Sequence, residues 1–432
     1  MQAEIGPHNA VMVVLSFEGP DQYAQAGGLG VRVAELAEAL AEAGYETSVL
    51  FVGDPALPSK EVRGGGKLTY YRWSQWISQY YPAGVYQGEE DKLRDWNASV
   101  PPFVVDSFAG PDIAAGKLVV VMAEEWHTAD SLAAISDLLH WRGMRNRALL
   151  LWNANNIFSF WRLDWNRLSF VSTLTTVSRY MRQYMWNMGL DPLVVPNGIP
   201  ARLLTKGASD ADTAALRAIL PNRLLLFKIG RFDPDKRWMM AVEAAAWLKA
   251  MGQPVLLMMR GGIEPHGHEV LGYARHLGLI VHDLTSPPGA PRTVATGLEV
   301  LRTAPPADVY NLRFFLPEEF VHVLYRGCDA VLANSGHEPF GLVGLEVMAA
   351  GGLAVTGSTG EDYAVGYQNA IVVETSDPRE IVAALLYLRT HPDDAARIRA
   401  AGQQTARLFT WDQVLITLQA CLATVARRQG AL

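Results

Sequence analysis

Residues 11–52 read VMVVLSFEGPDQYAQAGGLGVRVAELAEALAEAGYETSVLFV, and three features of that stretch decide the fold. Val11-Met12-Val13-Val14-Leu15 is an unbroken apolar run, the pattern of a strand buried on both faces of a parallel sheet. Gly27-Gly28-Leu29-Gly30 follows, after which Val33, Leu36, Ala37 and Leu40 recur at helical spacing and Gly44 stands where a glycine commonly ends a helix. Thr47 to Val52 is again strand-like. Strand, glycine turn, helix, strand is a βαβ unit, and it predicts an α/β protein with a parallel sheet.

The same alternation continues outward. Leu118–Met122, Leu149–Trp152 and Phe170–Val177 are further strand candidates, until turn-formers interrupt at Val194-Val195-Pro196-Asn197-Gly198-Ile199-Pro200. It resumes with a strand at Leu224–Ile229 and a helix from about Arg237 to Met251. Val255–Met259, Ala330–Ala333, Leu353–Thr356 and Ala370–Val373 are later strands. Two βα series follow: residues 1–196 and 197–410, with Trp411–Arg427 a terminal amphipathic helix that Thr410 would cap. Leu284 to Ala307, rich in Pro, Thr and Ala, reads as a surface loop or flap.

Composition narrows the function classes. With 432 residues, half of them hydrophobic and 19% charged, the chain is core-rich and long enough for more than one domain. Its 37 basic against 44 acidic residues give a net charge of -7, which argues against bulk electrostatic binding of nucleic acid or anionic membrane. Two cysteines, Cys328 and Cys421, make no disulfide framework, so a cytoplasmic setting is expected. Met1-Gln2-Ala3-Glu4 lacks the basic and apolar regions of a secretory leader. No apolar stretch reaches the ~18 residues of a spanning helix.

Three strand-to-helix loops carry the chemistry. In Gln25-Ala26-Gly27-Gly28-Leu29-Gly30 the glycines let backbone N–H groups approach an anion at a helix N-terminus, although a plain tight turn has the same spelling. The spacing is not GxGxxG, so a dinucleotide site is not supported. Lys228-Ile229-Gly230-Arg231-Phe232-Asp233-Pro234-Asp235-Lys236-Arg237 leaves the carboxyl end of a strand, where ligands of α/β sheets bind. Arg231 and Lys236 are spaced to grip two phosphates of one diphosphate. Asp233-Pro234-Asp235 spells a DxD metal motif, but the proline and basic neighbours favour a turn and helix cap. The third loop is Ser335-Gly336-His337-Glu338-Pro339-Phe340-Gly341-Leu342-Val343-Gly344-Leu345-Glu346. A helix beginning near Pro339 would aim the N–H groups of Phe340, Gly341 and Leu342 at phosphate oxygens. Glu346 sits in an otherwise apolar helix and so needs a partner.

Other spellings are weaker. Arg63-Gly64-Gly65-Gly66-Lys67-Leu68 lacks the Ser or Thr of a phosphate-binding loop. His266-Gly267-His268 has no evident third metal ligand and reads as a loop. Eight of the twelve tryptophans fall between Trp73 and Trp165. At least half of them should be core, yet flat rings also stack on the apolar faces of sugars, and Trp126 beside His127 is the best candidate for that.

Glu338 through Glu346 resembles the E-x7-E signature of the family-four retaining glycosyltransferases, which include relatives of glycogen and sucrose synthases. The resemblance extends, in the family's order, to Gly27-Gly28-Leu29, to Val195-Pro196-Asn197-Gly198-Ile199, and to Gly230-Arg231 with Lys236. It implies a GT-B fold, two Rossmann-like domains with a nucleotide-sugar between them and a final helix, 411–432, returning to the first. It further implies that Arg231 and Lys236 neutralise the donor diphosphate and that Glu346 binds the ribose. Glu338 and the amides of Phe340, Gly341 and Leu342 would hold the hexose. Gly28 would let the first loop close over the diphosphate, and His127, in Glu124-Glu125-Trp126-His127-Thr128, would sit near the reacting carbon.

The implied partners are a nucleotide-sugar donor and a carbohydrate or small hydroxyl acceptor, with no metal, no other cofactor and no nucleic acid. An α-glucan synthase and a non-hydrolysing nucleotide-sugar epimerase are the alternatives. Gln25 stands where the glycogen-synthase branch has Lys, which counts against the bacterial ADP-glucose enzyme.

Overall fold

The apolar runs do form strands, and their burial on both faces explains their composition. The computed structural model describes residues 5–205 and 209–431. Met1–Glu4, read above for a leader, and Leu432, the end of the expected terminal helix, lie outside the described residues. The chain divides into two compact units, Met1–Gly198 with Phe409–Leu432, and Ile199–Leu408.

In the first unit the strands are β1 (Ala10–Leu15), β2 (Glu46–Val52), β3 (Lys60–Arg63), β4 (Leu68–Trp73), β5 (Leu118–Glu124), β6 (Ala148–Ala154), β7 (Thr173–Thr176) and β8 (Leu193–Val194). Among the described residues they form one sheet in the order β3-β4-β2-β1-β5-β6-β7-β8. All neighbours are parallel except β3 and β4. Every residue of β1, β5 and β6 is buried. The helix Gly28–Glu42 lays Val33, Leu36, Ala37 and Leu40 on this sheet. The terminal helix Trp411–Gln429 adds Val414, Leu415, Leu418 and Leu422 to the same core.

The second unit repeats the plan with β9 (Leu224–Ile229), β10 (Val255–Arg260), β11 (Val281–Leu284), β12 (Val309–Leu312), β13 (Ala330–Ala333), β14 (Ala354–Thr356) and β15 (Ile371–Val372). Their order is β11-β12-β10-β9-β13-β14-β15, all parallel. In each sheet the chain builds outward from a central strand and then returns to its other side. The turning points are β1/β5 and β9/β13, the positions beyond whose carboxyl ends ligands of open α/β sheets bind.

Several expectations need correction. Phe170 to Ser172 is not strand. Asp164 accepts a hydrogen bond from the Arg167 amide (3.1 Å) and starts a short helix, Trp165–Val171, that buries Leu168 and Val171 and leaves Phe170 exposed. The stretch 284–307 is not all loop, because Thr293 caps a helix, Val294–Arg302, whose Leu298 and Leu301 are buried. His266 and His268 lie on a helix, His266–His276, and His266 pairs with Glu269 at 2.7 Å. The glycines 64–66 turn an antiparallel hairpin between β3 and β4.

Leu418 is 1% exposed in the core of the first unit, whereas Ile416 on the same helix is 59% exposed. Leu418→Ala should cost about 2–5 kcal/mol of stability in urea unfolding. Ile416→Ala should change it by less than about 0.5 kcal/mol. Equal losses at the two positions would mean that the helix does not dock through the face described.

Candidate active site

Both turning points carry polar side chains that a structural core would exclude. In the second unit the loops that leave β9 and β13 are stitched together. The Gly336 amide donates to the Asp235 carbonyl (2.7 Å), and Lys236 Nζ donates to Glu338 Oε2. Asp233 Oδ1 accepts from the Asp235 amide (2.9 Å), so the DxD spelling is a capped turn. A third loop, after β14, holds Glu338 from the other side. The Glu338 amide donates to Thr359 Oγ1 (3.0 Å) and the Gly360 amide to the Glu338 carbonyl (2.8 Å).

The helix that follows the β13 loop is Leu342–Ala349 and starts three residues later than expected from Pro339. The Leu342 amide turns back onto the Phe340 carbonyl (3.1 Å), and Phe340 is buried against Tyr363. Glu346, one turn inside, has the partner that its setting demands: Tyr325 donates its phenol to Glu346 Oε2 at 3.0 Å. Tyr363, buried and donating to the Gly341 carbonyl, marks where the acids meet. Burial pushes its phenol well up, and the charges of Glu361, Glu338 and Glu346 push it further. The loop after β14 thus bonds both the Glu338 carbonyl, through the Gly360 amide, and the Gly341 carbonyl at the head of the Glu346 helix, through Tyr363. Arg231 takes no part in these contacts: its side chain is exposed and has no partner among the described residues, while its carbonyl accepts from Trp238 Nε1 (2.7 Å).

Three groups here escaped the sequence reading. Glu361 is 5% exposed, with neither carboxylate oxygen hydrogen-bonded among the described residues, and it packs against Gly341 so closely that a Cβ there would lie 2.8 Å from its Cγ. Lys228, on β9, is buried and donates to the Leu332 carbonyl (2.9 Å) and Asn334 Oδ1 (2.7 Å). Its pKa is held far down, first by burial and then by Lys236. Arg237 takes a left-handed φ of 50° and donates to the Thr375 carbonyl (3.1 Å). Unpartnered acids and left-handed backbone leave no periodic trace in a sequence.

In the first unit, Glu18 fills the glycine turn. Its Oε2 accepts from the amides of Ala26 (3.2 Å), Gly27 (2.9 Å) and Gly30 (3.2 Å), and Tyr86 donates to its Oε1 (2.6 Å). The anion-binding character read from the glycines is real, and a carboxylate of the chain itself uses part of it. A Cβ at Gly30 would lie 2.9 Å from the Gly19 carbonyl, so packing requires that glycine. At Gly28 a Cβ would meet nothing within 4 Å.

After β5, Glu125 adopts φ 66°, a conformation that costs roughly 1–3 kcal/mol and gathers at functional sites. Its Oε1 accepts from the amides of Asn155 (2.6 Å) and Asn156 (3.1 Å), and burial pushes its carboxyl up to about 8. His127 is buried and stacked on both Phe17 (4.3 Å) and Trp126 (3.8 Å). Its Nε2 bonds Glu89 Oε1 (2.7 Å), while Nδ1 has no partner among the described residues. Burial lowers its pKa against the pull of Glu89.

Trp126 is a poor sugar platform. It is 7% exposed, and its ring already carries His127 and the Arg162 guanidinium, 4.0 Å from its centroid. Of the eight clustered tryptophans only Trp76, Trp141 and Trp161 are exposed. Among the described residues no group of three side chains is arranged to hold a metal ion, and no helix is long and apolar enough to cross a membrane.

Residues 26–203 match the model of Glycosyltransferase Family 4, and residues 306–405 match that of the Glycosyl transferases group 1. A D-inositol 3-phosphate glycosyltransferase of Thermomonospora curvata is 28% identical over 206 residues, 47% of this chain and 43% of that protein. The chain spans about half the length of the curated relatives it matches. Among solved structures, sucrose-phosphate synthase from Thermosynechococcus elongatus superposes with a TM-score of 0.66 at 18% identity, covering 96% of this chain and 99% of that one. The catalytic domain of starch synthase IV from Arabidopsis thaliana, bound to ADP and acarbose, gives 0.66 at 16% identity, covering 98% and 100%. Each of the two parallel-sheet α/β units is thus matched by a glycosyltransferase model, Glycosyltransferase Family 4 in the first and Glycosyl transferases group 1 in the second, and the fold is that of the GT-B structures.

Proposed function

We propose that the protein transfers a hexose from a nucleotide-diphosphate sugar to a hydroxyl acceptor with retention at the anomeric carbon. The observation that carries this reading is the cluster of Lys236, Glu338, Glu346 and Glu361 at the β9/β13 turning point. A lysine offers one compact positive charge to phosphate, and carboxylates accept paired hydrogen bonds from sugar hydroxyls. The ADP and acarbose bound to the starch synthase relative suit such a site. A diphosphate arriving there takes Lys236 from Glu338 and leaves Glu338 to accept from the hexose. Glu346, steadied by Tyr325, accepts from the ribose. Arg231, exposed next to the loop, has room to swing onto the second phosphate.

The reaction is written as front-face substitution. The bond from the anomeric carbon to the phosphate oxygen breaks, a bond to the acceptor oxygen forms on the same face, and the acceptor proton passes to the departing phosphate. The chain's contribution is charge neutralisation by Lys236 and Arg231 together with orientation of both sugars. On this reading no metal is needed, so activity should survive a chelator. Gln25 and the absence of a free tryptophan face at Trp126 favour a small acceptor over a long α-glucan. Screening by thermal shift against UDP-, ADP- and GDP-sugars would identify the donor, since a ligand of the native state raises its melting temperature.

Lys236→Ala should lower turnover by two or more orders of magnitude with saturating donor while leaving the melting temperature nearly unchanged. Full turnover in that variant would remove Lys236 from the mechanism.

Glu361 yields a separate prediction. Burial, helped by the charge on Glu338, raises its carboxyl to about 8, against roughly 4.3 in an unfolded chain. Because the folded value is the higher, the native state keeps a proton that the unfolded state releases. Its contribution to stability is complete below about pH 4.3 and is lost as pH rises towards 8. Glu361→Gln should therefore melt several degrees higher than the parent at pH 8 and differ little at pH 4.5. A variant that melts lower than the parent at both pH values would show that Glu361 is ionised and paired.

A further inference from the structure

The parallel sheet of the second unit has a second edge, where its strands begin. A cavity of about 330 Å³ lies there, lined by the starts of β9 and β14 and by residues of the two helices Pro378–Thr390 and Pro392–Ala406. Its charged lining is one-sided: Arg217, Arg223, Arg389 and Arg399 face a single carboxylate, Asp329. That is a local surplus of positive charge in a chain whose net charge is -7.

The arginines are set in place by the fold. Arg217 Nη1 bonds Asp329 Oδ2 at 3.0 Å, and Arg399 Nη2 donates to the Asp329 carbonyl at 3.0 Å. Arg223 Nη2 donates to the Ala307 carbonyl at 2.5 Å. Asp329 spends the same Oδ2 on the Leu225 amide (2.7 Å), so one carboxylate serves two donors and is the single acid in a lining with four guanidinium groups. Arg399 Nε is buried and has no partner among the described residues. A buried guanidinium N–H without an acceptor is destabilising, and an incoming anion removes that penalty. Burial depresses the Arg399 pKa against the pull of Asp329, and the neighbouring Arg217 adds to the depression. Leu353, Leu385 and Leu388 give the same lining an apolar part.

We propose that this cavity binds a phosphate monoester with a small organic body, at a site separate from the Lys236–Glu338 cluster. Guanidinium forks match phosphate oxygens two at a time, and a doubly charged monoester balances the surplus that Asp329 leaves. The leucines take the organic part, and the volume lies at the lower end of small-molecule pockets, which run roughly 300–1,000 Å³. The separation from the donor cluster follows from topology. Leu224 begins β9 and Lys228 lies near its end, and parallel pairing of β9 with β13 sets all strand starts on one edge.

The test is isothermal titration of the full chain with glucose 6-phosphate, AMP and inorganic phosphate, each repeated in Arg389→Ala, Arg389→Glu and Lys236→Ala. Arg389 is exposed and bonds only Gln253 among the described residues, so its variants should melt like the parent. The expected result is saturable binding of at least one of the two esters. Its affinity should fall in Arg389→Ala and at least tenfold in Arg389→Glu, and persist in Lys236→Ala. Three results would overturn the proposal: neither ester binds, binding survives Arg389→Glu, or inorganic phosphate binds as tightly as both esters. The last would mean an anion site with no use for the apolar part of the lining.

Discussion

Two contacts, the Gly336 amide on the Asp235 carbonyl and Lys236 on Glu338, join the loops that leave β9 and β13. The rest of the second unit can be understood as the support for that junction. Parallel strands deliver both loops to one edge, at the point where the strand order reverses between β9 and β13. Seven strands with helices on their faces supply the rigidity. Without it, a half-buried lysine and carboxylate would gain little over separate solvation, because ion pairs near a surface are individually weak. The loop after β14 completes the arrangement by binding the Glu338 backbone on both its amide and its carbonyl.

The first unit meets the same constraint with different residues. Its turning point, β1/β5, carries a glycine loop wrapped on Glu18 and a left-handed Glu125 whose carboxyl is buried. His127 is fixed in an aromatic stack with one nitrogen on Glu89. Such features have an energetic cost, and a fold selected only for stability would replace them with apolar contacts. Their collection at the carboxyl ends of both sheets is the physical reason for seeing function there.

What the sequence made legible follows from burial. Val11–Leu15, Leu118–Met122 and Leu224–Ile229 are covered on both faces, so they carry no polar interruptions and stand out as strands. β3 and β4 have an exposed face and an antiparallel turn of glycines, and no continuous apolar run announces them. The helix at Val294–Arg302 was hidden by the prolines before it, although Thr293 is a proper cap. Pro339 misled because proline favours a first helical turn, while here the chain needs three more residues to bring Phe340 under Tyr363. Glu338, Glu346 and Lys236 could be singled out because charge in an apolar or strand-end setting is anomalous in one dimension. Glu361, Glu18 and Lys228 are anomalous only in three: Glu361 reads as an ordinary loop acid until its burial and lack of partners are known.

The account turns on one claim, that the loops following β9, β13 and β14 close on a single nucleotide-sugar. Hydrogen–deuterium exchange of the intact chain, with and without each of UDP-glucose, ADP-glucose and GDP-mannose, measures this directly. The account predicts that one of the three slows amide exchange in residues 230–237, 335–342 and 357–363 together. Slowed exchange confined to other segments under all three sugars, with these loops unchanged, would contradict it.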